Sequence, residues 1–189
     1  MSGWKKKRAI MRRYNVTADI YDMRYADEQT AKYEAALESL RTRKFSIILD
    51  AGCGTGLFFD HVADKTGAII GLDISRKSLL KARKRAKFQN VHIVCADVDA
   101  MPLVERIFDH VFAMTLIQNS PNPVDTLKEI ERVSKNNAEI VVTGLKKAFS
   151  KEKFEELLRN AGLKIVVLKN EDNLKCYVTV CRKLIIKTG

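Results

Sequence analysis

The chain has no CxxC pair, no run of about 18 apolar residues, no internal repeat and no low-complexity linker. Each absence removes a class of protein. The four cysteines, Cys53, Cys95, Cys176 and Cys181, stand singly, and no histidine lies at metal-ligand spacing from them. Neither zinc nor a disulfide framework is therefore expected, and no metal is assigned. His61, His92 and His110 are equally isolated and read as structural or surface residues. The basic stretch Lys5-Lys6-Lys7-Arg8 is followed by no apolar signal segment, so the expectation is a cytoplasmic protein with no membrane attachment. The length of 189 residues fits one domain with a proper core.

Acidic residues are outnumbered, 23 against 34 lysines and arginines, for a net charge of +11. The excess is concentrated in an N-terminal arm from Lys5 to Arg13, in Arg76 to Lys87 and towards the C-terminus. No acidic residue interrupts Arg76 to Lys87. That stretch, with Lys81, Lys84 and Arg85 at its centre, reads either as a nucleic-acid contact or as a solvated helix face.

The most informative segment is Leu49-Asp50-Ala51-Gly52-Cys53-Gly54-Thr55-Gly56, which closes the apolar run Ile47-Ile48-Leu49. A strand running into a turn with glycines at alternate positions lets the backbone approach a nucleotide closely. Leu57-Phe58-Phe59 should open the next helix. About twenty residues after Gly52, Asp73 ends the run Ala68 to Leu72, where a carboxylate can accept hydrogen bonds from ribose hydroxyls. A third acidic strand end, Asp97, follows Val91 to Ala96. The glycine spacing is not the G-x-G-x-x-G of dinucleotide sites, and Asp50 would repel a pyrophosphate but suits an ammonium or a sulfonium.

At these residues the sequence resembles the class I S-adenosylmethionine-dependent methyltransferases. The resemblance rests on Asp50 to Gly56, Gly71-Leu72-Asp73-Ile74-Ser75, Cys95-Ala96-Asp97-Val98 and Phe108 to Ala113, in the family's order and spacing, across residues 45 to 182. It implies a Rossmann-like, doubly wound α/β fold, with a seven-stranded, mostly parallel sheet, an antiparallel C-terminal hairpin and helices on both faces. It also implies S-adenosyl-L-methionine as cofactor. Gly52, Gly54 and Gly56, with Cys53, would form the backbone cradle, and Asp50 would face the methionine end. Asp73, with Ile74 beside it, would bind the ribose, Asp97 and Val98 would contact the adenine, and Met114 would pass the methionine moiety. Tyr21 and Tyr25 resemble the family's N-terminal segment over the substrate pocket, although two packed core tyrosines explain them equally.

Apolar spacing makes the first forty-odd residues helical, capped at Asn15 or Thr17, and divides the chain into an arm, 1–44, packed on a core, 45–189. Ser75 should cap a helix to about Lys87, and Asn122 with Pro123 should start another. The fourth strand is read as Asp109 to Leu116 and the fifth as Glu139 to Thr143. Ser150 caps a helix that Gly162 stops, and Lys164–Leu168 and Leu174–Arg182 are two strands too closely linked to pair otherwise than antiparallel.

The acceptor site is expected after the fourth strand, with Gln118 and Asn119 orienting the acceptor and Pro121 beside them. The family's nitrogen-methylating pattern, Asn-Pro-Pro-Tyr, is not present, since the chain has Asn119-Ser120-Pro121-Asn122. The leading expectation is methylation of ribosomal or transfer RNA. The alternatives are a small-metabolite or protein acceptor, and a non-catalytic binding subunit that keeps the cofactor fold. An activator subunit remains open.

Overall fold

Ile47–Ala51 forms strand β1, buried from Ile48 onward, and pairs in parallel on both sides with β2 (Ala68–Asp73) and β4 (Phe108–Ala113). A strand buried on both faces must be apolar throughout, as its Ile-Ile-Leu run is. The computed structural model describes residues 3–40 and 46–184. Strand β3 (Val91–Cys95) extends the sheet beyond β2, and β5 (Ser134–Leu145) extends it beyond β4, both in parallel. The last two strands, β6 (Leu163–Lys169) and β7 (Cys176–Lys183), form the antiparallel hairpin, with β7 inserted between β5 and β6. The order β3-β2-β1-β4-β5-β7-β6 reverses direction between β1 and β4. Ligands of doubly wound sheets bind beyond the carboxyl ends of the strands at that switch point.

Helices cover both faces. One core cluster joins α1 (Gly3–Leu37), α2 (Phe59–Val62) and α3 (Arg76–Arg85) to the sheet, with Phe58 stacked 4.2 Å from Phe112. The other seats α4 (Pro123–Val133) and α5 (Lys151–Asn160) through Leu127, Ile130, Phe154 and Leu158. No glycine or proline occurs between Trp4 and Leu40, so α1 runs unbroken for 35 residues, about 52 Å.

Several boundaries differ from those read in the sequence. Asn15 and Thr17 are not caps but lie inside α1; Thr17 donates back to the Arg13 carbonyl, while Asn15 accepts from the Ser75 hydroxyl at 2.7 Å. Strand β4 stops at Ala113 rather than Leu116, because Thr115 turns into the left-handed region at φ 57°. Strand β5 begins at Ser134, before Glu139, and a register irregularity opposite Phe108–His110 accommodates the extra length. Asn122 precedes Pro123 as expected, but its side chain bonds to Asp125 rather than to a backbone amide. Ser75 and Ser150 do cap α3 and α5 through their side chains. The boundary placed at residues 44 and 45 lies outside the described residues.

Candidate functional site

The glycine turn is tied to β2 before it is tied to anything else. Gly52 and Cys53 both donate to the Leu72 carbonyl, at 2.7 and 3.0 Å, so the turn curls over the carboxyl end of β2 where Asp73 stands. Asp73 then holds the turn from the other side. Its Oδ2 accepts from the Gly54 amide at 2.9 Å and its Oδ1 from the Ser75 amide at 2.7 Å. A carboxylate has about four lone-pair sites, so it can still accept two further hydrogen bonds. Burial raises the Asp73 pKa, and the amides of Ser75, Gly54 and Ile74 oppose that rise.

The three glycines serve different ends. Gly54, at φ 54°, has nothing within 4 Å of where a Cβ would sit, which leaves an open cradle facing the cavity. Gly56, at φ 77°, instead lies against the Phe59 ring and the Ala82 backbone, so it packs the turn onto α3 and does not border the cavity. Gly52 borders the cavity with Leu116 behind it.

The cavity occupies about 890 Å³ when the open solvent at its mouth is counted. Its walls contain Gly52, Gly54, Asp73, Ile74, Asp97 and Val98, together with Met114, Asn119, Pro121 and Tyr21. Other residues expected at the site are elsewhere. Asp50 and Cys53 are buried behind the turn, Tyr25 is exposed and packs on Tyr21 at 5.0 Å, and Gln118 points away, its Oε1 buried without a hydrogen-bond partner among the described residues. The turn brings Gly52, Gly54 and Thr55 to the cavity and keeps Asp50, Cys53 and Gly56 away from it, which a sequence pattern does not distinguish.

Asp50 carries an electrostatic cost of its own. Burial, reinforced by the nearby Asp73 charge, pushes its pKa up to about 8 from an ordinary 3.8. The folded protein therefore holds a proton that the unfolded chain releases, and stability falls as pH rises from 3.8 towards 8. Urea unfolding of Asp50→Asn at about pH 6 and about pH 9 is expected to show a smaller loss of stability with pH than the wild type shows. Equal losses would remove Asp50 as their source.

Helix α1 forms a wall more extensive than the Tyr21 and Tyr25 segment expected over the pocket. Lys7, Ile10, Tyr14, Ala18 and Tyr21 line the cavity from one helical stripe, at spacings of three and four. Lys7 lies within the basic arm but turns inward, 2.5 Å from Asp97 and 2.6 Å from Asp99. Burial lowers its pKa, but the two carboxylates outweigh that and raise it. Asn119 is a hub: its amide donates to the Tyr14 hydroxyl at 3.0 Å and the Thr115 carbonyl at 2.9 Å, and its oxygen accepts from Arg13 at 2.8 Å. The stripe's spacing was readable, but the surrounding charges masked it.

The basic helix is also partly accounted for within the chain. Lys81 pairs with Asp19 at 3.0 Å, and Arg85 with Asp22 at 2.8 Å and Asp60 at 2.9 Å, so both clamp α1 to α3 or to the start of α2. Only Lys84 of the expected nucleic-acid trio stays exposed without an ion pair among the described residues. No helix among the described residues is long and apolar enough to cross a membrane.

Comparison with known proteins places this geometry. A family model described as "Methyltransferase domain" matches residues 43–181. A malonyl-[acyl-carrier protein] O-methyltransferase from Marinomonas sp. (strain MWYL1) is 33% identical over 148 residues, 77% of this chain and 54% of the relative. A ubiquinone biosynthesis O-methyltransferase from Coxiella burnetii is 29% identical over 116 residues, 60% of this chain and 47% of the relative. The chain thus spans about half the length of the curated relatives it matches. Among solved structures, the methyltransferase crystallised with the Haloferax volcanii Trm112 activator has a TM-score of 0.79 at 19% identity, covering 90% of this chain and 97% of that one. A SAM-dependent methyltransferase from Aquifex aeolicus has a TM-score of 0.70 at 17% identity, covering 79% of this chain and 88% of that one. At those identities the likeness is one of fold.

Proposed function

The chain belongs to the methyltransferase-domain family, the class I S-adenosyl-L-methionine-dependent methyltransferases, and from that premise we propose that it methylates a carboxylate oxygen of a small acyl acceptor. The observation that carries the choice of acceptor is the course of α1. Laid across the carboxyl ends of the strands, it walls the cavity with Lys7, Ile10, Tyr14, Ala18 and Tyr21, where an RNA acceptor would need an open basic groove. The O-methyltransferase relatives support the same choice, and the ion pairs of Lys81 and Arg85 withdraw support from an RNA acceptor.

The residues present suit the cofactor. In this reading Gly52 and the open side of Gly54 receive its methionine portion, and the free lone pairs of Asp73 receive the ribose hydroxyls. Leu72, Ile74, Ala96 and Val98 offer apolar surface to the adenine ring. Helix α1 lies over the site and lines it from Lys7 to Tyr21. When bound, S-adenosylmethionine supplies a methyl group on an already activated sulfonium. The protein's task is then to hold an acceptor oxygen in line, a positioning effect worth up to roughly 7 to 11 kcal/mol. As the carboxylate oxygen forms its bond to the methyl carbon, the carbon–sulfur pair departs with sulfur, and no proton has to move.

The test is to incubate the purified protein with methyl-labelled S-adenosylmethionine and, separately, the malonyl thioester of N-acetylcysteamine or total RNA. Base-labile label in the thioester and none in RNA is expected. Label in RNA alone would overturn the reading.

A further inference from the structure

A buried polar cluster meets the cavity at Thr115. Lys32 is only 1% exposed, yet its ammonium sits 2.8 Å from Glu28 Oε1 and 3.3 Å from Thr115 Oγ1. Lys175, from the link between β6 and β7, closes on the other Glu28 oxygen at 2.8 Å. Gln29, 4% exposed, places Nε2 3.3 Å from Thr115 Oγ1 and 3.3 Å from the Tyr21 hydroxyl. An ammonium withdrawn from water is unfavourable unless its partners compensate, and a left-handed backbone is unfavourable for a β-branched residue. Both unfavourable features converge on Thr115, at φ 57°, and Thr115 borders the cavity. Strain of this kind concentrates where a group must be held in one place.

Thr115 is held firmly. Its amide donates to Thr143 Oγ1 at 2.7 Å and its carbonyl accepts from Asn119 at 2.9 Å. A hydroxyl has two lone pairs and one hydrogen. Lys32 and the Gln29 amide nitrogen occupy the lone pairs, which leaves the hydrogen. Its acceptor inside the protein, Gln29 Oε1, is 3.4 Å away, the longest contact of the cluster. An anionic oxygen in the cavity is a better partner.

We propose that the Thr115 hydroxyl donates its hydrogen bond to one oxygen of the acceptor carboxylate, leaving the other free to attack, and that Lys32 and Gln29 are positioning residues that orient and polarise this hydroxyl. The proposal rests on the carboxylate reading of the acceptor above. Thr115 keeps its hydrogen throughout the transfer. Glu28 holds Lys32 in place; burial raises the Glu28 pKa, but Lys175 and Lys32 outweigh it and lower it overall.

Three variants test this. Thr115→Val keeps the branched shape at the strained position and removes only the hydroxyl, Thr115→Ser keeps the hydroxyl, and Lys32→Met removes the charge at similar length. The readouts are calorimetric titration of the malonyl thioester of N-acetylcysteamine into protein saturated with S-adenosylhomocysteine, the KM for that thioester, and the affinity for S-adenosylhomocysteine itself. Thr115→Val is expected to weaken thioester binding and raise KM by about tenfold or more, with S-adenosylhomocysteine affinity within about twofold of wild type. Thr115→Ser should restore most of the loss, and Lys32→Met should fall between them. Where Lys32→Met does not fold, the Thr115 pair decides. Wild-type thioester binding in Thr115→Val would overturn the assignment, as would a parallel loss of S-adenosylhomocysteine affinity, which marks a structural role. A wild-type protein that neither binds nor methylates the thioester overturns the function reading itself, and this assignment with it.

Discussion

Replacing Asp73 with alanine is expected to lower S-adenosylmethionine affinity a hundredfold or more. Hydrogen bonds to a charged group contribute about 1.5–3 kcal/mol each, and two ribose hydroxyls would lose theirs together. The effect has a second source. Asp73 holds the Gly54 amide at 2.9 Å and the Ser75 amide at 2.7 Å, so its removal also frees the cradle and the start of α3. Asp73→Asn separates the two contributions. Its amide oxygen can keep one of these contacts, so the turn should stay closer to its place while the charge-assisted bonds to the ribose weaken. Calorimetry on both variants measures the loss, and thermal unfolding in the absence of cofactor measures damage to the turn. Wild-type affinity in a folded Asp73→Ala protein would remove Asp73 from the ribose site.

The second large effect is expected from the packing glycines. A Cβ on Gly56 would lie 2.7 Å from Phe59 Cε2 and 3.1 Å from the Ala82 Cα, on a residue at φ 77°. Overpacking costs about 1–3 kcal/mol and a left-handed backbone a further 1–2 kcal/mol for a residue with a side chain, so Gly56→Ala should lose roughly 2–5 kcal/mol. That is a large share of a typical stability of about 5–15 kcal/mol. Gly71→Ala meets the same ring, 2.5 Å from Phe59 Cζ, but without the left-handed backbone. Adding Phe59→Leu should therefore recover part of the Gly71→Ala loss and much less of the Gly56→Ala loss. Urea unfolding of the single and double variants measures this directly. Equal recovery in both backgrounds would show that the ring alone limits both positions.

This contrast explains why the glycine turn was legible while its parts were not. The pattern from Asp50 to Gly56 resembles a turn against a nucleotide, but only the folded turn shows that Gly54 borders the cavity while Gly56 faces Phe59. Asp50 and Cys53 belong to the same motif and are buried behind it. Charge misled for a related reason. Lys7, Lys81 and Arg85 read as parts of two basic surfaces, and each is paired with a carboxylate distant in sequence: Asp97 and Asp99, Asp19, and Asp22 with Asp60. A net charge of +11 is a sum over the chain and carries no information about which cations are neutralised. Thr115 went unnoticed because nothing in a threonine's identity reports a positive φ.

What the sequence determined by itself is what local chemistry controls. The strand order of types, the serine caps at Ser75 and Ser150, the strand-end carboxylates Asp73 and Asp97, and the antiparallel end of the sheet all follow from periodicity, capping and link length over a few residues at a time. Only the tertiary structure decided that α1 lies across the cleft and encloses the site. It also decided which glycines border the cavity and brought Lys32 and Gln29 to Thr115, more than 80 positions away. These are contacts between elements far apart in the chain. Their free energy comes from burial and pairing that exist only once the sheet has assembled, so no short window of residues carries their signal.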